Sequence, residues 1–253
     1  MHSSLTSALG VLALACAGHA GILFTQSMQD MDGALPASTN IIHVDKEKVR
    51  IDPADNPEAY MIYRGDKGVL WAVDLKQHTY TETTGKDFEA MAAKRDAAVE
   101  KIKAQMVGMP DDQKQMMQAM LAKLGVEEGP KTEYKKVGAA ELGAWPAEKY
   151  AGTRAGIKIS EIWLAAPAAI GLKDAEIRTL KDMALLFGKF AKNLSGLVGS
   201  KEDGLDGLPV KTVVFRDGRA LWQSELKDVK QEELSAALFE LPAGLTQKKL
   251  GGG

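Results

Sequence analysis

The sequence predicts an α+β protein in which a curved antiparallel sheet packs against helices. Two observations lead to this fold class. Short strand patterns separated by glycine and proline occupy both ends of the chain, while the middle is rich in helix-forming residues. In addition, two of the strand candidates are apolar on both faces, so the sheet must be covered on both sides.

The first part of the chain predicts six strands. The turn sequence from Gly65 to Gly68 separates two of them and predicts a hairpin, because glycine adopts positive φ angles without strain. The six strand candidates are residues 21–30, 40–44, 48–52, 58–64, 69–74 and 77–83.

The middle of the chain predicts helices. Residues 86–107 are rich in Ala, Lys, Glu and Met, and Gly108 ends that helix. Pro110 opens a second helix that runs to Leu124, so a helical insert covers about residues 86–124. A third helix, residues 174–198, carries an apolar stripe that includes Phe187.

Strand patterns return after the helical insert. Arg216-Asp217-Gly218 is a strong hairpin signal between the last two strands, and Gly218 is expected at positive φ. Residues 231–239 predict a short helix. The later strand candidates are residues 131–137, 147–153, 157–165, 210–215 and 219–226.

The N-terminus predicts export. No Asp, Glu, Lys or Arg precedes Asp30, and an apolar run is followed by Ala17-Gly18-His19-Ala20, which is typical of a signal peptide cleaved after Ala20. Residues 1–20 are therefore interpreted as a signal peptide, residues 21–253 as one domain, and the periplasm as the location. The alternative is a lipid anchor on Cys16, which fits less well because Leu14 lies one place away from the usual bulky position.

Composition excludes several classes of function. The chain has 32 basic and 34 acidic residues, one cysteine and four histidines, so it lacks the basic excess of nucleic-acid binders and the residues of a disulfide framework. No nucleophile motif, phosphate loop or metal-ligand spacing is present. We expect no catalytic residues, no metal and no cofactor, and hence no enzyme.

Several motifs resemble a bacterial family catalogued as domain of unknown function 4412. The motifs are residues 60–74 (YMIYRGDKGVLWAVD) with Lys76 and 79–82 (TYTE), then 147–150 (AEKY), 161–165 (EIWLA), 207–210 (GLPV) and 238–244 (LFELPAG). The resemblance implies a fold similar to periplasmic lipoprotein carriers, a curved antiparallel half-barrel with helices on its concave face. It assigns no reaction.

A ligand site is expected on the concave face. A methionine stripe on the second helix allows three interpretations: core packing, an adaptable wall for a lipid-like ligand, or Cu(I) ligation by thioethers. The tryptophans on the predicted strands could either pack in the core or form a platform for a ligand. The predicted ligand-binding residues are Tyr60, Trp71, Met116, Met120, Trp163, Phe187 and Phe190.

Two functions compete on this basis. The first is non-catalytic periplasmic binding of an apolar or lipid-like ligand, such as an acyl chain, or of a lipidated partner, with peripheral contact to the envelope membrane. The alternative is a structural or protein-interaction module of the cell envelope that binds no ligand. The share of Met, Phe and Trp side chains that face the concave side would separate the two.

The mature protein is predicted to begin at Gly21. The intact mass of protein recovered from the periplasm should then match residues 21–253, because small residues at Gly18 and Ala20 fit the peptidase. A product that retains Met1, or that carries acyl chains on Cys16, would contradict this prediction.

Overall fold

One sheet of twelve strands organises the part of the chain that the computed structural model describes, residues 19–123, 131–190 and 204–250. The strands are β1 His19–Asp30, β2 Ser38–Asp45, β3 Lys48–Pro53, β4 Ala59–Arg64, β5 Val69–Asp74, β6 Thr79–Thr84, β7 Glu133–Leu142, β8 Trp145–Arg154, β9 Ile157–Ala165, β10 Leu208–Arg216, β11 Arg219–Leu234 and β12 Thr246–Lys248. The helices are α1 Gly85–Met106, α2 Asp111–Lys123 and α3 Asp174–Phe190, with 3₁₀ turns at Pro167–Ile170 and Ala236–Phe239.

The sheet is open and almost entirely antiparallel. Its order is β12-β6-β5-β4-β3-β2-β1-β11-β10-β9-β8-β7, and only the short β12 runs parallel to its neighbour. The long pairing of β1 with β11, from His19 opposite Leu234 to Asp30 opposite Trp222, joins the early strands to the late ones. The predicted α+β class with an antiparallel sheet is confirmed.

Local signals place most elements correctly. Thr84 caps α1 through a capping box: its hydroxyl accepts from the Asp87 amide at 3.3 Å, and the Asp87 carboxylate accepts from the Thr84 amide at 2.8 Å. Helices α1 and α2 occupy the predicted insert. The predicted strands before the insert correspond to β1–β6. The predicted third helix is described as far as Phe190, and residues 1–18, which include Cys16, lie outside the described residues.

The structure corrects two predictions about the late elements. Residues 231–239 do not form a helix: β11 continues to Leu234 because β1 is long enough to pair with it, and only the 3₁₀ turn Ala236–Phe239 follows. The strand predicted for residues 131–137 is present as β7, so that prediction is wrong only in its bounds: β7 begins at Glu133 and extends to Leu142, because it forms a hairpin with β8 around Gly143, at φ 61°.

The early half of the sheet buries residues on both faces. On one face, which packs against α1 and α3, lies the helix-side core; its buried members include Val44, Val49, Tyr63, Leu70, Phe88, Leu180 and Met183. On the other face lies the tail-side core, formed by Tyr60, Ile62, Val69, Trp71, Val73, Leu234 and Phe239. Neighbours along β4 and β5 alternate between the two cores, as successive strand residues must.

The tail-side core explains why β4 and β5 are apolar on both faces. We call residues 234–245 the tail segment. Its Phe239 is fully buried against these strands, with Leu238, Leu241 and Leu245 packed around it. The chain thus covers the second face with its own C-terminal residues. Burial of both faces therefore requires no internal apolar space here, and a space for an acyl chain stays a prediction.

Within the described residues, no helix combines the length and apolar character that crossing a membrane requires.

Gly218→Val should destabilise the fold. Asp217 and Gly218 have φ angles of 52° and 77°, as the hairpin signal predicts. A side chain at Gly218 would meet no atom within 4 Å, so the cost is backbone strain, about 1 kcal/mol or more for a β-branched residue. Urea unfolding measures it. Gly138→Val is the matched control, because Gly138 is also uncrowded and not at positive φ. Equal midpoints for the two variants would contradict the turn assignment.

Candidate functional site

A buried arginine lies at the centre of the tail-side core. Arg64 is the last residue of β4, and its side chain is 5% exposed. Its guanidinium donates to both carboxylate oxygens of Asp66, at 2.8 and 2.6 Å, and to Glu240 Oε1 at 2.5 Å. It also donates to the Phe239 carbonyl at 3.2 Å and lies 5.7 Å from the centre of the Trp71 ring. These five residues are the Arg64 cluster.

The cluster compensates the buried charge with directed hydrogen bonds. Forked contacts between a guanidinium and a carboxylate are among the stronger hydrogen bonds in proteins. The hydrogen bonds from Arg64 hold the pKa of Asp66 below its usual value, against the effect of burial. The ionised Asp66 carboxylate therefore stabilises the folded state. This stabilisation is complete above the unfolded pKa of Asp66 and is lost as the pH falls through the lower folded pKa.

A second arginine holds the tail segment from β3. Arg50 donates to the carboxylate of Asp52, with its Nη2 at 2.7 Å from Oδ1, and to the Leu238 carbonyl at 3.1 Å. Its guanidinium carbon lies 3.8 Å from the centre of the Tyr60 ring, which is cation–π geometry. Two arginines on neighbouring strands thus bind consecutive carbonyls of the tail segment.

His43 lies beside this arrangement. Its Nε2 is 3.6 Å from Asp52 Oδ2, and its Nδ1 is buried without a hydrogen-bond partner among the described residues. Burial lowers the pKa of His43, and the opposing effect of Asp52 does not outweigh it. A neutral imidazole here fits a structural role on β2.

A row of charged residues surrounds Trp163 in the late half of the sheet. Lys149, Trp163, Lys211 and Glu225 are cross-strand neighbours on β8, β9, β10 and β11 and therefore share one face. The two lysine nitrogens lie 4.7 and 5.6 Å from the centre of the indole ring.

Acidic residues balance the lysines of this row. Glu161 lies 3.0 Å from the Lys149 nitrogen, and Glu225 lies 3.3 Å from that of Lys211. Burial raises the pKa of Glu161, but hydrogen bonds from Lys158 and Lys149 outweigh it and leave that pKa lowered. The row is therefore a network of paired charges around an aromatic ring.

The structure separates the predicted ligand-binding residues. Tyr60 and Trp71 both lie in the tail-side core, on the face away from α1 and α3, and are buried. Trp163 lies in the other half of the sheet and is half-buried. Met116 lies on α2 and is 70% exposed. The side chains of Met120, Phe187 and Phe190 are outside the described residues.

The structure thus brings together only Tyr60 and Trp71 among the described side chains of that set. Ligand binding by each of the seven residues stays a prediction.

Sequence reasoning missed the residues that organise these contacts. Arg64 ends the apolar strand β4, and this placement was the available signal, since a buried charge requires partners. Arg50 lies among other charged residues of β3, so its sequence context carried no such signal. Phe239 lay within a quoted motif, but its partner Ile62 is far away in the chain, and a single sequence carries no sign of such a contact.

A cavity with a volume of about 230 Å³ lies between α3 and the β2–β3 turn, which includes Lys46. Within residues 19–123, 131–190 and 204–250, no group of three or more His, Cys, Asp or Glu side chains could hold a metal ion.

The sequence profile of one protein family matches residues 105–245, more than half of the chain. That family is described as Domain of unknown function (DUF4412). The chain belongs to this family. The resemblance stated from the motifs is confirmed, although the motifs at residues 60–74 and 79–82 precede the matched span. The four later motifs of this DUF4412 protein, including the tail-segment residues 238–244, lie inside it.

Solved structures align with this DUF4412 protein over most of its length. An uncharacterised conserved protein from Thermus thermophilus is 10% identical with a TM-score of 0.46, and the alignment covers 91% of each chain. The MucA/MucB complex of Pseudomonas aeruginosa matches with 12% identity and a TM-score of 0.43, over 89% of this chain and 57% of that chain. A LolA superfamily protein from Nitrosomonas europaea is 8% identical with a TM-score of 0.30, and the alignment covers 89% of this chain and 91% of that chain. No curated protein matches the sequence.

Arg64→Met should destabilise the protein by about 1–3 kcal/mol, because the buried Phe239 carbonyl loses its donor. Asp66 and Glu240 are 31% and 48% exposed, so water can solvate them after the change. Urea unfolding measures the effect. The control Arg216→Met removes an exposed arginine and should stay within about 0.5 kcal/mol of wild type. If both variants unfold at the same urea concentration, Arg64 does not hold the tail segment.

Proposed function

We propose that this DUF4412 protein is a non-catalytic binding protein of the bacterial cell envelope, which holds an apolar or lipid-like ligand or a lipidated partner. One observation supports the proposal most directly. The helical layer, which consists of α1, α2 and α3, leaves large apolar side chains exposed. Met116 on α2 is 70% exposed, Leu185 on α3 is 68% exposed, and Val107 at the end of α1 is 83% exposed. Where such side chains form one contiguous patch, the patch is typical of ligand or membrane contact.

The chemistry of these side chains suits an apolar ligand. Thioethers adapt to ligands of different shape, and Met109 and Met117 are half-buried near Met116 in sequence. Each methylene of an acyl chain that leaves water contributes about 0.8 kcal/mol, so a chain of about ten would offset the cost of immobilising the ligand.

In this proposal, the ligand lies on the helical side of the sheet. The sheet would then be a half-barrel whose concave face carries α1, α2 and α3, in line with the family resemblance. Tyr60 and Trp71 already fill the tail-side core. Among the predicted ligand-binding residues, the contacts would therefore fall to Met116 together with Met120, Phe187 and Phe190.

Export to the periplasm belongs to the same proposal. Strand β1 begins at His19, so cleavage after Ala20 would remove only its first two residues. Gly21 lies opposite Glu232 on β11, and cleavage would place a new positive amino group beside that carboxylate. Opposite charges at directly paired positions favour the strand pairing.

A second function is favoured by the size of the cavity beside α3. At about 230 Å³ this cavity is smaller than the roughly 300–1,000 Å³ of sites for drug-sized ligands. A structural or protein-interaction module of the envelope needs no larger space. In that case the exposed apolar side chains would contact a protein partner.

Uptake of a fluorescent fatty acid tests the first function. We expect the purified protein to bind the probe, and the double variant Met116→Gln/Leu185→Gln to bind it at least five-fold more weakly. Leu35→Gln is the matched control, because Leu35 is 69% exposed but lies outside the helical layer, after β1. All variants should keep the wild-type circular dichroism spectrum.

Two results would decide against the lipid-like ligand. One is a wild-type protein that takes up no probe and yields no lipid on extraction. The other is a Leu35→Gln variant that loses as much binding as the double variant. Either result would leave the interaction module as the better account.

A further inference from the structure

The cavity of about 230 Å³ lies where three parts of the fold meet. Its walls come from the β2–β3 turn, from the end of β4 and from α3. Tyr63 of β4 and Thr179 of α3 are buried, with 7% and 3% exposure, and line the cavity together with charged residues that reach solvent. The cavity therefore combines buried hydroxyl groups with exposed charges.

Hydrogen bonds fix the walls of this cavity. The Thr179 hydroxyl donates to the Lys46 carbonyl, which ties α3 to the β2–β3 turn. The Gly65 amide donates to the Glu47 carbonyl at 2.7 Å, which ties the β4–β5 turn to the same segment. The cavity walls are thus linked by specific bonds that connect distant parts of the chain.

A glycine keeps the cavity open. A Cβ atom at Gly65 would lie 2.8 Å from the Glu47 carbonyl oxygen and 3.3 Å from the Tyr63 hydroxyl. Only glycine fits this close approach without a shift of the backbone. The Tyr63 hydroxyl has no hydrogen-bond partner among the described residues, so it is available to a ligand.

Charges of both signs surround the cavity in equal number. Lys46 and Arg178 are positive, and Glu47 and Asp182 are negative. None of the four forms an ion pair with another described residue, although ion pairs are frequent elsewhere on this surface. Burial raises the pKa of Tyr63, and the carboxylates of Asp182 and Glu47 raise it further, so its hydroxyl keeps its proton.

We propose that this cavity binds a small zwitterion, with the ligand's ammonium group beside Asp182 and Glu47 and its phosphate or carboxylate group beside Lys46 and Arg178. A simple anion or cation would satisfy only half of the charged groups. The volume accommodates a small polar molecule or a headgroup rather than an acyl chain. This inference does not depend on the binding of an apolar ligand by the helical layer.

O-phosphoethanolamine is the probe for this site, since it carries both charges on a short chain. Isothermal titration calorimetry at low salt should show saturable binding by the full chain. Ethanolamine alone and inorganic phosphate alone should each bind at least ten-fold more weakly. If phosphate alone binds as tightly as the zwitterion, the site is a simple anion site and the proposal is overturned.

Variants localise the binding. Arg178→Gln and Asp182→Asn should each weaken it at least ten-fold, and Gly65→Ala should reduce it by displacing the Glu47 carbonyl in the cavity wall. Tyr63→Phe removes only the hydroxyl, so a smaller loss is expected. The control Arg216→Gln removes an exposed arginine on β10 that does not line the cavity, and should bind as wild type. Absence of wild-type binding at millimolar ligand, or an equal loss in Arg216→Gln, would overturn the proposal.

Binding to vesicles distinguishes a lipid headgroup from a free small molecule as the natural ligand. If vesicles of phosphatidylethanolamine and phosphatidylcholine retain the protein and Asp182→Asn abolishes retention, the ligand is a lipid headgroup. If only the soluble probe binds, with the same loss in the variants, the ligand is a free small molecule. Both results support a zwitterion site. The proposal would be contradicted if vesicles retain Asp182→Asn and Arg178→Gln as well as the wild type while the soluble probe does not bind.

Discussion

The need to cover β4 and β5 on both faces governs the early half of this protein. These strands place Tyr63 and Leu70 toward the helices, and Ile62 and Trp71 toward the opposite side. Apolar area that stays in water costs about 25 cal/mol per Å², so an uncovered face would destabilise the fold substantially. The tail segment provides the cover, and Arg64 fixes its position through hydrogen bonds to Phe239, Asp66 and Glu240 that compensate its burial.

Two of the aromatic residues predicted to bind a ligand lie within the tail-side core. Trp71 and Tyr60 support the tail segment and lie next to the cationic groups of Arg64 and Arg50. The proposed ligand contacts are instead on the helical side, where Leu185 and Met116 are exposed, and at the cavity beside α3.

Local features of the sequence predicted much of the fold. The helix-forming composition from Lys86 onward predicted α1, and Asp217-Gly218 predicted the last hairpin, because helix propensity and tight turns depend on neighbouring residues only. The apolar residues on both faces of β4 correctly indicated that both faces are buried. They did not indicate the covering element, because Ile62 and Phe239 meet only after the chain has folded.

The candidate sites were less accessible to sequence reasoning for the same reason. The cavity joins Lys46 to Asp182, which belong to a turn and to a helix far apart in the chain. Each residue alone is an ordinary surface charge, and only their placement around Tyr63 makes them informative. Similarly, the extension of β11 to Leu234 depends on the length of β1, which no local propensity in residues 231–234 expresses.

Native-state hydrogen exchange measures most directly whether the tail segment and strands β4 and β5 form one cooperative unit. The amides of Leu238 and Glu240 bond to Ser235 and Ala237, and those of β4 belong to the sheet. Exchange in increasing, sub-denaturing urea should show the same opening free energy for both sets of amides. Rapid exchange of the tail amides while β4 and β5 stay fully protected would contradict this account, because those strands would then be stable without their cover.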